Sequence, residues 1–153
     1  PPLAWPLVSL VAMTLWEMGE KVAALCVLTM FTTYGRPNEI LKLQKQDLAK
    51  STKLGVSWAL NLNTSEQMFT SKTGVADESI LLDSPVMSYL GPALERLAQG
   101  VPTLPLFRLD YARLLQLWKR AWTQIGMEPN YPVLYQLRHS GASWDRLKRL
   151  RTT

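Results

Sequence analysis

Val22-Ala23-Ala24-Leu25-Cys26-Val27-Leu28-Thr29-Met30-Phe31 is apolar nearly all round. A helix at a protein surface carries a polar stripe, and one that lacks it is buried on every side. This stretch therefore reads as a central helix against which the rest of the chain packs. Upstream, Leu7, Leu10, Val11, Thr14, Leu15 and Met18 follow helical spacing and predict a first amphipathic helix over roughly 6–17, with Gly19 as the break. A single membrane span from Leu7 to Phe31 would bury Glu17, Glu20 and Lys21 in lipid. Two core helices are the better reading, and no membrane association is expected.

The buried helix delivers Thr33-Tyr34-Gly35-Arg36-Pro37-Asn38-Glu39 from a rigid support. Gly35 can adopt backbone conformations that other residues avoid. Pro37 suits the first turn of a short helix, expected over roughly 37–45 with Ile40, Leu41 and Leu43 facing inward. Glu39 follows Arg36 by three residues, close enough to hold its guanidinium. In one reading Arg36 is a buried anion ligand fixed by Glu39. In the other the two form an exposed helix-start ion pair worth about 0–1 kcal/mol.

Further along, Asp47 and Lys50-Ser51-Thr52-Lys53 mark a turn. Val56 to Leu62 alternates, with Val56, Trp58, Leu60 and Leu62 on one side, and predicts a strand. Gln67 to Thr70 and Glu78 to Leu82 read as two more strands, joined by Ser71-Lys72-Thr73-Gly74 as a hairpin tip. Asp83-Ser84-Pro85 resembles a helix start, and Gly91-Pro92 should bend or split that helix, which runs up to about Gln99. Gly100 to Pro105 reads as a loop. Asp110 can cap a helix whose apolar face is Tyr111, Leu114, Leu115, Trp118, Ala121, Trp122 and Ile125. Arg113, Gln116, Arg120 and Thr123 fall on its other side, as either a stripe that meets a nucleic-acid backbone or a solvated surface. Gly126 ends it, and a last helix is expected over roughly 133–149.

That last helix carries Tyr135-Gln136-Leu137-Arg138-His139-Ser140-Gly141-Ala142-Ser143. Positions 135, 138, 139 and 142 share one face. A phenol, a guanidinium and the chain's only imidazole side by side suit an anionic ligand, and phosphate best, because Arg presents a rigid fork to two oxygens; the other reading is an exposed helix whose Arg is merely solvated.

Composition agrees with such a partner. The chain of 153 residues is one domain by length, 47% hydrophobic and 19% charged, with a net charge of +5. From Arg108 to Thr153 nine Lys or Arg stand against three Asp or Glu. A basic surface of this kind points to nucleic acid, though a solvated surface gives the same count. Cys26 and His139 are the only residues of their types, so no intrachain disulfide and no metal centre built on cysteine and histidine are expected. Pro1-Pro2 is not a signal-peptide start, and a chain without an initiating Met is expected to be part of a longer one.

Taken in order, these features resemble the catalytic domain of the tyrosine recombinase (phage integrase) family. Thr33 to Leu48 is similar to the family's first arginine block, Ser71-Lys72-Thr73-Gly74 to its hairpin-lysine motif, and Leu137 to Ser143 to its second arginine block. The likeness runs from about Leu7 to Trp144. It implies a mostly α domain with a small three-stranded antiparallel sheet, spanning 1–153. It also implies DNA integration or recombination by strand breakage and rejoining through a tyrosine–phosphate link, without metal or nucleotide cofactor. Arg36 and Arg138 would clamp the non-bridging oxygens of the scissile phosphate, where charge grows in the transition state. Lys72 would protonate the leaving oxygen, and Glu39 would support Arg36. DNA is the implied partner, together with further recombinase subunits in a synaptic oligomer.

The sequence departs from the pattern at three places. Tyr135 stands where the family has His, and His139 on the same face is a candidate replacement. Tyr34 stands where the family has Gly, two residues before the first arginine. No tyrosine follows Arg138, so this stretch is expected to bind DNA without cleaving it. Two other readings remain: a type IB topoisomerase-like enzyme sharing the Arg, Lys, Arg set, and a helical scaffold that binds a partner protein.

Overall fold

The computed structural model of the chain describes residues 3–52, 55–62, 79–82, 88–127, 132–134, 136–137 and 146. The described fold is mostly helical with a small antiparallel sheet, in the order α1 (Trp5–Glu17), α2 (Lys21–Thr33), α3 (Pro37–Leu41), a 3-10 turn (Lys45–Asp47), β1 (Leu48–Ser51), β2 (Ser57–Asn61), β3 (Ser79–Leu81), α4 (Leu90–Leu97) and α5 (Tyr111–Ile125). The chain divides into two compact units, Pro1–Leu41 with Phe107–Thr153, and Lys42–Leu106.

In the first unit, α2 is buried from Ala23 to Phe31 without interruption, as its all-round apolar sequence predicts. Its buried hydroxyls need partners, and each finds the carbonyl four residues back: Thr29 Oγ1 donates to Leu25 at 2.7 Å and Thr33 Oγ1 to Thr29 at 2.7 Å. α1 packs on α2, with the Trp5 and Phe31 rings 5.3 Å apart. Gly19, at φ 84°, closes α1 in a Schellman turn, in which Glu20 N–H donates to Leu15 O and Gly19 N–H to Trp16 O. α5 also packs on α1, burying Leu114, Leu117, Trp118, Ala121 and Trp122. Asp110 Oδ1 caps it by accepting from Arg113 N–H at 2.7 Å, and a left-handed Gly126 ends it. Tyr111, expected on the apolar face, is exposed, and Leu117 is buried.

In the second unit β1 pairs with β2 and β2 with β3, all antiparallel, with Leu48 opposite Leu60 and Asn61 opposite Ser79. β2 and β3 fall where two of the three strands were expected, over 56–62 and 78–82; β1 was not expected. β1 occupies a stretch read as a turn, the strand expected at 67–70 and the tip at 71–74 lie outside the described residues, and Val56 is exposed rather than inward. The short helix also stops at Leu41 instead of running to 45. Leu43 leaves the helix because its carbonyl accepts from Leu106 N–H at 2.9 Å. Gly91 and Pro92 lie in the first turn of α4, where proline's missing N–H costs nothing. The helix start expected at 83–85 lies outside the described residues, as does most of the helix expected over 133–149.

One cluster locks this unit. Trp58 Nε1 on β2 donates to Glu95 Oε2 on α4 at 2.9 Å, and Lys50 Nζ on β1 reaches Glu95 Oε1 at 3.2 Å. The indole hydrogen bond, then that of Lys50, holds the Glu95 carboxyl below its ordinary value. A lowered folded-state value means that its stabilisation is complete above the unfolded carboxylate value and is lost as pH falls through the folded one. In urea unfolding followed by Trp fluorescence, wild type should therefore be more stable than Glu95→Gln at neutral pH, and the difference should close as pH falls through the carboxylate range; a difference that does not change with pH would rule the cluster out as the acid-sensitive latch.

Candidate functional site

Arg36 is delivered by a turn whose geometry the sequence explains only after the backbone is seen. α2 ends at Thr33, and Tyr34 adopts the left-handed conformation (φ 57°, ψ 21°). It is the only described non-glycine residue with positive φ. The special conformation expected at Gly35 thus falls one residue earlier. Gly35 is required for a different reason: a Cβ there would lie 2.5 Å from Ile40 Cδ1 and 3.1 Å from Thr33 Oγ1. Ile40 is fully buried and has no room to move. The Gly35 N–H donates to Thr33 Oγ1 at 3.3 Å, which ties the turn back to the end of α2.

A left-handed helix terminus favours glycine because any Cβ crowds the backbone, at about 1–2 kcal/mol. Tyr34→Gly and Tyr34→Ala both delete the ring, so their difference isolates this strain. The glycine variant should be about 1 kcal/mol more stable in thermal or urea unfolding; equal stabilities would mean that the turn relaxes without cost.

From that turn Arg36 enters α3 with its side chain 60% exposed, and Glu39 Oε1 lies 3.6 Å from Arg36 Nε. Arg36 is therefore not the buried ligand that one reading foresaw. It is an exposed guanidinium on a rigid stem, braced on one edge, with its remaining donors open to an incoming anion. The ion pair itself contributes little at such exposure.

The predicted basic stripe is present on α5. Arg113, Gln116, Arg120 and Thr123 are all exposed. Arg113 is already engaged: its guanidinium donates to Gln116 Oε1 at 2.9 Å and meets Glu20 Oε1 at 3.3 Å.

Lys72, Tyr135, Arg138 and His139 lie outside the described residues. Their approaches are described. The segment 62–78 that holds Lys72 joins neighbouring antiparallel strands at the Asn61–Ser79 pair. The segment ahead of Arg138 is pinned at three points. Trp118 Nε1 donates to Pro132 O at 2.8 Å, Gln136 Oε1 accepts from Val133 N–H at 2.8 Å, and Leu134 and Leu137 are buried. Trp118 and Gln136 were readable only as an apolar-face residue and a helix residue. The usable signal was chemical: a buried indole N–H needs an acceptor.

Among the described residues no helix is long and apolar enough to cross a membrane. No protein-family model, no curated protein and no solved structure matches this chain.

Proposed function

We propose that the chain is the phosphate-gripping part of an enzyme of the tyrosine recombinase kind, which breaks and rejoins DNA for recombination or integration. In this reading the fold is that of the family's catalytic domain. Arg36 and Arg138 hold the scissile phosphate, with Glu39 bracing Arg36. Lys72 serves the leaving oxygen, while Tyr135 and His139 stand beside Arg138. Arg113 and Arg120 meet the flanking backbone. The carrying observation is the turn before Arg36. The position where the family has glycine is held here in the left-handed conformation that favours glycine, and it leads into an exposed arginine braced by an acid three residues on. The local geometry supports the resemblance even where the residue type departs from it.

A protein-binding scaffold is favoured by one observation: Leu10, Met13 and Trp16 form an exposed apolar ridge along α1. Salt separates the two. Each phosphate contact contributes a slope of about −0.9 in log K against log salt, so four or so cations predict a slope of about −3 to −4. Anisotropy of a fluorescein-labelled duplex, titrated with the chain across salt concentrations, reads it. A slope near zero, or no binding at low salt, would overturn the DNA reading.

A further inference from the structure

The outward face of α1 is unlike that of a surface helix. From Trp5 to Trp16 no side chain ionises, and Glu17 is the only one in the helix that does. A helix with solvent along one side normally carries charge there, and one that is apolar all round is covered. α2 meets that rule by being buried. α1 does not: Val8, Val11 and Leu15 face the core, while Leu10, Met13 and Trp16 stand 42%, 58% and 45% exposed on the other side. Lys21 Nζ lies over the Trp16 ring at 5.1 Å and steadies it, so burying that ring costs little further freedom.

The ends of α1 show what covers the ridge. Its first turn holds no acid and no side-chain cap, and its last residue is Glu17, which is exposed. A carboxylate there meets the negative end of its own helix. A second α1 laid antiparallel reverses the sign, because Glu17 then lies towards the positive, N-terminal end of its neighbour. The ridge also complements itself. Leu10 and Trp16 lie three residues on either side of Met13, the most exposed of the three. A half-turn about Met13 sets Leu10 against the second copy's Trp16 and Met13 against its own counterpart, as a twofold contact requires.

We infer that α1 is the contact between two copies of this chain, packed antiparallel about an axis at Met13. The inference stands apart from the DNA reading. Three half-exposed side chains bury on the order of 300 Å² per copy, less than the roughly 800 Å² of a standard interface, so the pair is reversible.

Sedimentation velocity of the full chain, from micromolar to near-millimolar concentration, should show a monomer–dimer equilibrium. Met13→Glu sets two carboxylates together on the axis and should weaken it at least tenfold with an unchanged melting temperature. Glu17→Lys improves the match of α1 to its own dipole, yet should weaken the dimer about two- to fivefold. A chain that stays monomeric throughout, or a dimer indifferent to Met13→Glu, overturns the inference. Disulfide trapping reads the register without relying on those variants. Met13→Cys should cross-link to itself, and Leu10→Cys to Trp16→Cys when the two are mixed. Leu10→Cys alone should not, since its two copies lie about 9 Å apart along the axis, too far to bridge. Cys26 does not compete, because it is buried and burial pushes its thiol up. Cross-linking of Leu10→Cys to itself in preference to Met13→Cys would overturn the antiparallel pairing.

Discussion

Arg36→Ala is expected to weaken duplex binding roughly 10- to 100-fold while the melting temperature stays within a degree or two of wild type. The two halves of this result have separate causes. A charge-assisted hydrogen bond to phosphate contributes about 1.5–3 kcal/mol, and the truncated side chain gives up both its charge and its fork. The fold does not depend on that side chain. It is 60% exposed, and its ion pair with Glu39, at 3.6 Å, belongs to the exposed class worth about 0–1 kcal/mol. The slope of log K against log salt should also fall by about one, the signature of a single lost phosphate contact. Arg36→Lys restores the charge but not the planar fork, so it should recover the salt slope and only part of the affinity. Unchanged affinity in Arg36→Ala would place the DNA contacts elsewhere. Collapse of the melting temperature would make Arg36 a structural residue and would contradict its exposure. Arg113 offers a contrast, because Glu20 and Gln116 already occupy its guanidinium. Its replacement should cost less affinity than that of Arg36.

How far the chain could be read in advance depends on the range of the forces involved. α1 and α5 were legible because their burial is written as a 3.6-residue pattern and because Gly19, Asp110 and Gly126 mark their ends through local capping, and α2 because it is apolar all round. β1 was not. Ala49, Lys50 and Ser51 are exposed, so no alternation betrays the strand, and it exists because β2 supplies its hydrogen bonds from residues 57–60. α3 was read too long for a related reason. Leu43 continues the apolar spacing, yet its carbonyl pairs with Leu106, far away in the sequence, and that pairing ends the helix. At the site, the Arg36 turn was half legible. The order Tyr34, Gly35, Arg36, Glu39 announced a special backbone, but which of the first two residues is left-handed depends on Ile40 closing over Gly35. Whether the side chains at 36, 72 and 138 meet at one phosphate depends on packing between distant segments, which no local pattern encodes.

The largest effect on stability is expected at Trp122. It is fully buried, and its ring meets that of Trp118 edge to face, with centroids 5.4 Å apart and planes at 81°. Trp122→Ala should cost about 3–5 kcal/mol, since the packed face of α5 cannot close over so large a void. For a chain of this length that lowers the melting temperature by roughly ten degrees. Trp122→Phe should behave differently, for a polar reason. The Trp122 indole nitrogen is buried and has no hydrogen-bond partner among the described residues, whereas that of Trp118 donates to Pro132. Replacing an unsatisfied donor by carbon removes a desolvation penalty, whereas replacing a satisfied one strands the acceptor it served. The two Trp→Phe substitutions remove the same atoms from neighbouring turns of one helix, so the loss of volume largely cancels between them. Trp118→Phe should then be the more destabilising by about 1–3 kcal/mol in urea unfolding. The reverse order would mean that Trp122 has an acceptor after all, such as an ordered water, and that the two indoles are equally tied into the core.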